Sequence, residues 1–390
     1  MSIPSHKITF TEDQIDEILS STEEILRSGQ VILGKHTQRF EEEYAAACER
    51  AYGVAVGSDT AAFEMQLKTL GVKGQYVLYP ALAFPSILES VTNAGARPWF
   101  VDANPDGHLF ASLEQIQRAS LDCQDATGSA PAALILMHTG GLIARESAVI
   151  TDWCTRVGIE VLEDAAHSFG ATLNGDPAGS FGLSSAFSLY ATKPMHACEG
   201  GMIVTDSLEL AEECKIYRNY GRTQDFGRSR IVRHGYSWRI TEIQSVIGLS
   251  NLRSIGASIL RRREIMAMYD ELISESGGVW QEIEGLPMSN GMKPNGYRYI
   301  RMLPEGWTGE RRQQFKEDLK ASTGIDLPGE VYELPTHKQP IWIEEYGDLS
   351  MPFAEDFCER HFALPVYQSL TNEQIRQVVQ EVGKALEKAL

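Results

Sequence analysis

Short apolar runs punctuate the first part of the chain. They are "GVAVGS" (53–58), "QYVLYP" (75–80), "RPWFVD" (97–102), "AALILMH" (132–138), "IEVLED" (159–164), "SSAFSLY" (184–190) and "GMIVTD" (201–206). Each is a few residues long and closes on a polar, small or aromatic residue, the pattern of a buried strand. Helix-length segments such as "TAAFEMQLKTLGV" and "RESAVITDWCTRVG" lie between several of them. This alternation predicts an α/β fold with a mostly parallel seven-stranded sheet covered on both faces. Ligands on such sheets gather at the carboxyl ends of the strands.

The pattern changes from about Ile255. A long charged helix, "ASILRRREIMAMYDELIS", leads into a Pro/Gly/Trp-rich stretch and then the amphipathic "TNEQIRQVVQEVGKALEKAL". The reading is a large domain over 1–250, N-terminal segment included, and a smaller α+β domain over 251–390. No internal repeat or low-complexity segment interrupts either part.

Composition narrows the function. The formal net charge of −18 argues against nucleic acid and anionic membranes as partners, both of which need basic patches. Six scattered cysteines without a CxxC pair argue against a metal site and a disulfide scaffold. Reduced thiols in the cytoplasm are the simplest account. "MSIPSHKITFTEDQIDEIL" lacks the apolar core of a signal peptide, and no run reaches the ~18 apolar residues of a membrane span.

Three features carry chemistry. In "VGSDTAAFEMQLKTLG" a strand ends and a helix begins near Thr60, with Ser58, Asp59 and Thr60 as capping residues. The free N–H groups of such a helix start can cradle a phosphate. In "IEVLEDAAHSFGA" an apolar strand ends in Glu163 and Asp164, and a carboxylate there can pair with a cationic ring nitrogen. In "SLYATKPMHACEGG" a single lysine, Lys193, follows a strand that carries Ser188. A lysine held inside a site can form a Schiff base with an aldehyde. Read alone, each has a bland alternative: a capped helix, a solvated acid, a loop lysine. Together, on one sheet, they are the three handles that pyridoxal 5'-phosphate (PLP) requires.

The same blocks resemble a known family. "ILRSGQVILGKHTQRFEEEYA", "LYPALAFPSILESVTNAGARPWFVDANPDG", "MHTGG", "EDAAHSFGA", "SLYATK…EGG", "GYSWRITEIQSVIGLSNL" and "ALPVYQSLT" stand in the order seen in the DegT/DnrJ/EryC1/StrS sugar aminotransferases, of the aspartate aminotransferase fold type I. The resemblance implies that Lys193 forms the Schiff base and Asp164 pairs with the pyridinium nitrogen. It implies His167 near the cofactor's phenolic oxygen, Phe84 stacked on its ring, and Ser188 with Ser58, Asp59 and Thr60 around its phosphate. There are departures: Asp59 stands where glycine is usual, Ser237 in "GYSWR" where asparagine is frequent, and Lys35 where proline is common. Lys35, Arg239 and His337 are implied substrate contacts, and Ser237 a phosphate contact reaching across a homodimer interface.

The implied reaction moves an amino group from glutamate or glutamine to a nucleotide-linked keto-sugar in amino-sugar or natural-product biosynthesis. A cyclitol ketone of the scyllo-inosose type is the alternative acceptor. A non-aminating dehydratase branch carries histidine in place of the lysine, and Lys193 argues against it. A regulator without turnover and a nicotinamide enzyme fit less well, since the chain is acidic and no GxGxxG follows the first strand.

Overall fold

The computed structural model describes residues 2–104, 109–225, 228–288, 290–329 and 331–390. The seven apolar runs form the strands β1 (Tyr52–Val56), β2 (Tyr76–Pro80), β3 (Arg97–Val101), β4 (Ala133–Met137), β5 (Glu160–Asp164), β6 (Ser184–Ser188) and β7 (Gly201–Thr205). They build one sheet in the order β1-β7-β6-β5-β4-β2-β3. Neighbours from β6 through β3 run parallel, while β7 is antiparallel to both β6 and β1. The sheet is therefore mostly parallel, and β1, β5 and β6 end on one edge.

Local chemistry sets the helix limits. Helix α1 (Glu12–Ser28) starts with a reciprocal cap between Thr11 and Gln14 and stops at Gly29 in the left-handed region. Helices α2 (Lys35–Ala47), α3 (Asp59–Leu70), α4 (Pro85–Asn93), α5 (Leu113–Thr127), α6 (Ser147–Val157) and α7 (Leu208–Tyr217) follow. Their apolar sides join the sheet in buried clusters, such as Phe63, Met65 and Leu67 of α3 with Val77, Ile135 and Leu162 of the strands.

Helix α8 (Glu242–Ser276) is longer than the charged run predicted from Ile255 onward. Its first half carries Gly248 and Gly256, poor helix formers on propensity. Tertiary packing accounts for it: a Cβ at Gly248 would stand 2.5 Å from the Phe40 ring, so α2 and α8 approach too closely for any larger residue. The expected division near residue 250 thus lies within a helix. Leu249 belongs to a core with Phe40 and Phe187, whereas Ile265, Tyr269 and Ile273 belong to another with Phe315, Phe362 and Val378. Ile3 also sits in that second core and pairs with Ile325.

The C-terminal part contains an antiparallel sheet of Glu284–Gly285, Tyr299–Met302 and His361–Leu364, packed with the helices Gly309–Thr323 and Asn372–Ala389. All six cysteines are free thiols, and five of them are buried. Among the described residues, no helix is long and apolar enough to cross a membrane.

Candidate active site

The topology gathers distant residues at one edge of the sheet. Val56 and Ser188 both pair with Gly201, and Asp164 pairs with Ala186. Just beyond these strand ends lies a cavity of ≈ 490 Å³. Eight of the residues read from the sequence line it: Ser58, Asp59, Thr60, Phe84, Asp164, His167, Ser188 and Lys193.

One wall is the start of α3. Ser58 caps the helix, its hydroxyl accepting the Ala61 N–H at 3.1 Å. The entry of β7 passes directly beneath. A Cβ at Gly201 would meet the Ser58 carbonyl oxygen at 2.4 Å, so only glycine fits there. Asp59 holds one carboxyl oxygen, Oδ1, buried without a hydrogen-bond partner. Burial, and then the charge of Asp164, push its carboxyl well above the ordinary range against the opposing pull of Lys193.

Asp164 accepts the Ala166 N–H at 3.0 Å. Burial pushes its carboxyl up to about 6, although that hydrogen bond and the Lys193 cation pull the other way. His167 accepts the Gly140 N–H on Nδ1 at 3.3 Å, which leaves the ring proton on Nε2. Burial, with the Lys193 and Arg298 cations beside it, drives its pKa well below the usual histidine value. The imidazole is therefore a neutral donor. Phe84 precedes α4 at the cavity and is 57% exposed, an aromatic face available to a ring.

Glu163 points to the other side of β5. It is fully buried and accepts hydrogen bonds from Gly179 N–H at 2.9 Å, Phe181 N–H at 2.8 Å, Gly182 N–H at 2.7 Å and the Ser185 hydroxyl at 2.7 Å. His138 Nε2 lies 2.9 Å away. Burial works to raise its pKa, yet these donors hold it below the ordinary value.

Four residues read from the sequence do not line the cavity. Lys35 pairs with Glu24. The hydroxyl of Ser237 accepts from Arg239 at 2.7 Å, and Arg239 also donates to Asn219 at 2.7 Å and Tyr220 at 3.0 Å. His337 is buried against Glu355 at 3.0 Å.

Other lining residues carried no sequence signal of their own. Tyr297, Arg298 and Tyr332 all line the cavity. Lys193 Nζ lies 5.0 Å from the centre of the Tyr297 ring. Burial alone would raise the Tyr297 phenol, but the Lys193 and Arg298 cations bring it down to about 8. The ring of Tyr297 also lies 4.8 Å from that of His167. "NGYRYIRM" reads as an aromatic approach to a strand, and Tyr299, two residues on, is an ordinary core aromatic.

These donors fit PLP by their chemistry: an amine for its aldehyde, a buried carboxylate for its ring nitrogen, and a helix start with the Ser188 hydroxyl for its phosphate. Comparison with known proteins agrees. A sequence profile of the "DegT/DnrJ/EryC1/StrS aminotransferase family" matches residues 12–383. The chain is 29% identical to the dTDP-4-dehydro-2,3,6-trideoxy-D-glucose 4-aminotransferase of Saccharopolyspora spinosa, over 95% of this chain and 94% of that one. It is also 29% identical to the UDP-N-acetyl-3-dehydro-alpha-D-glucosamine 3-aminotransferase of Acidithiobacillus ferrooxidans, over 95% and 94%. Its fold matches Spr1654 of Streptococcus pneumoniae in the PLP form, with a TM-score of 0.87, 24% identity and full coverage of both chains.

Proposed function

Because the chain belongs to the DegT/DnrJ/EryC1/StrS aminotransferase family, we propose that it moves an amino group from glutamate or glutamine to a nucleotide-linked keto-sugar. The protein is a PLP-dependent aminotransferase. The choice of acceptor draws support from two relatives whose names specify nucleotide-linked sugars. The observation that carries the residue roles is the convergence of Lys193, Asp164, Ser188 and the α3 start in one cavity.

When bound, PLP carries the amino group between the two substrates and takes up the electron pair left at the donor carbon. Lys193 Nζ takes the proton from that carbon, and Tyr297 positions the amine. Asp164 keeps the ring nitrogen protonated, Phe84 packs on the ring face, and Ser188 with the N–H groups opening α3 holds the phosphate. The donor leaves as its 2-oxo acid, and the ketone leaves as an amine after the same proton movements in reverse.

A panel of nucleotide-linked keto-sugars and cyclitol ketones, offered to the pre-aminated enzyme while its absorbance is followed, tests the acceptor. Return of the starting spectrum with a cyclitol ketone and no keto-sugar would reassign it. We further propose a cytoplasmic homodimer in which the block around Ser237 and Arg239 completes the neighbouring site. Neither residue lines the cavity of its own chain. Mixing Lys193→Ala with an inactive Arg239 variant should restore part of the activity, and a fully active monomer would exclude the shared site.

A further inference from the structure

Lys193 stands on a loop that the main sheet does not hold. β6 ends at Ser188 and β7 begins at Gly201, so no strand ladder fixes the residues between them. Backbone bonds fold this stretch on itself: Leu189 N–H to Gly200 O, Ala197 N–H to Leu189 O and Lys193 N–H to Tyr190 O, each at 2.9 Å. Pro194, next to the lysine, has no N–H to add.

Helix α8 supplies what the sheet does not. The side-chain amide of Asn251 donates to His196 O at 2.8 Å, and that of Gln244 donates to Glu199 O at 2.9 Å. The two residues lie about two turns apart, which puts both on one face of the helix. Leu249, between them in the chain, packs in the same core as Met195 and Ala197 of the loop.

Both amides are themselves oriented. Gln244 accepts from Thr241 N–H on Oε1 at 3.0 Å, in the reciprocal cap that opens α8, so its NH₂ turns toward the loop. Asn251 accepts on Oδ1 from the Gln14 amide at 3.3 Å, and that amide also reaches Ser254 Oγ at 3.0 Å. Gln14 is fixed in turn by its cap with Thr11 at the start of α1. With Oδ1 already receiving a donor, the NH₂ of the buried Asn251 faces His196 O. A buried chain of donors and acceptors in which each link is made specifies one geometry.

We infer that Asn251, oriented by Gln14, and Gln244 are positioning residues for Lys193: through the carbonyls of His196 and Glu199 they hold the lysine loop where its amine can reach the cofactor. A lysine has a long flexible stem, so the backbone that carries it decides where its nitrogen can go. Misplacing a reacting group by ~1 Å can cost about a hundredfold in rate. The inference rests on Lys193 being the residue that joins the cofactor, as proposed above.

The test separates attachment from binding. PLP joins the protein by a C=N bond between its aldehyde carbon and the lysine nitrogen, and the aldehyde oxygen leaves as water. Pyridoxamine 5'-phosphate has the same ring and phosphate but no aldehyde, so it binds without that step. Protein stripped of its cofactor is mixed with PLP, the absorbance of the attached form is timed, and affinity for pyridoxamine 5'-phosphate is measured alongside. Asn251→Leu, close to isosteric, should slow attachment at least about tenfold and leave that affinity within about twofold. Gln244→Glu keeps the cap and removes the donor, and should slow attachment by about three- to tenfold. Gln14→Leu, acting through Asn251, should cost about two- to threefold. Attachment at the wild-type rate in Asn251→Leu and Gln244→Glu would overturn the inference. So would an affinity for pyridoxamine 5'-phosphate that falls in step with the rate, the mark of a general loss of structure. Should Asn251→Leu not fold, Gln244→Glu and Gln14→Leu decide by the same two measurements. Borohydride reduction of wild-type protein that marks another lysine would instead overturn the lysine assignment on which the inference stands.

Discussion

Glu163 and Asp164 are adjacent on one strand, both carboxylates and both shut away from solvent, with 0% and 2% of their surface exposed. Their surroundings are opposite. Glu163 meets three backbone N–H groups, a serine hydroxyl and a histidine, and is held below the ordinary range. Asp164 faces the cavity with one N–H close to it and is pushed up to about 6. A buried charge whose donors are all supplied by the fold holds the fold together. A buried charge left short of donors is waiting for a group that the fold does not contain. The strand's alternation places the two on opposite faces, so a single residue step separates structure from chemistry.

The largest break in this comparison removes the group that Asp164 works with. Lys193→Ala should abolish turnover and covalent attachment of the cofactor. Borohydride reduction of wild-type protein, followed by peptide mapping, should mark Lys193, and a mark on any other lysine would refute the assignment.

Next is the structural carboxylate. Glu163→Gln keeps the shape but puts an amide NH₂ where the carboxylate accepts from backbone N–H groups. Disrupting a buried, fully hydrogen-bonded charge costs roughly 3–5 kcal/mol. The variant should melt markedly lower than wild type, and any loss of activity should track the folded fraction. Glu163 faces away from the cavity and takes no part in the chemistry. It is harmless only for chemistry, because its nest of donors comes from residues 179–185, which the sequence does not tie to it.

Asp164→Asn should do the reverse: leave folding intact and slow the reaction. Losing the charge-assisted hydrogen bond to the ring nitrogen is worth roughly 2–3 kcal/mol. The half-reaction with glutamate should therefore fall at least about a hundredfold, since each ~1.4 kcal/mol of barrier is tenfold. Single-turnover rates near wild type would show that the wrong carboxylate has been assigned.

How much of this was legible depends on how local the signal is. All seven strands of the main sheet stand out as short apolar runs, because a strand covered on both faces leaves little room for polar residues. Lys193, Asp164 and the 58–60 turn are legible for a related reason: each is a polar residue at the end of such a run. The first half of α8 was not, since Gly248 and Gly256 are poor helix formers and only the Phe40 ring of α2 explains the first of them. Nor were Tyr297 and Arg298, which reach the cavity from the C-terminal part, where "NGYRYIRM" looks like any strand of a second core. Nor did any local pattern mark that Lys35, Ser237, Arg239 and His337 would lie outside the cavity, where Lys35 is engaged by Glu24, Ser237 by Arg239 and His337 by Glu355.

The smallest effect is the most discriminating, because it gives the two carboxylates opposite signs. The carboxyl of Asp164 titrates near 6 in the folded protein, against about 4 in an unfolded chain. Below pH ~4 both states carry the proton, and the residue costs nothing. Between pH ~4 and 6 the folded protein keeps a proton that the unfolded chain has released, so stability falls as pH rises. Above pH ~6 the cost is constant, roughly 3 kcal/mol. Asn cannot ionise and escapes this cost. Protein stripped of its cofactor should therefore melt higher as Asp164→Asn than as wild type at pH ~7, with the gap closing toward pH ~4. Glu163 runs the other way. Its pKa is lowered on folding, so its contribution is present at neutral pH and fades as the pH drops below the unfolded value of ~4.3. The deficit of Glu163→Gln should accordingly be full at pH ~7 and shrink in acid. Melting curves of the two variants against wild type from pH ~2 to 8 decide the matter. If both were destabilised at neutral pH, Asp164 would be a structural charge like its neighbour, and the carboxylate that serves the cofactor would have to be sought elsewhere in the cavity, with Asp59 the next candidate.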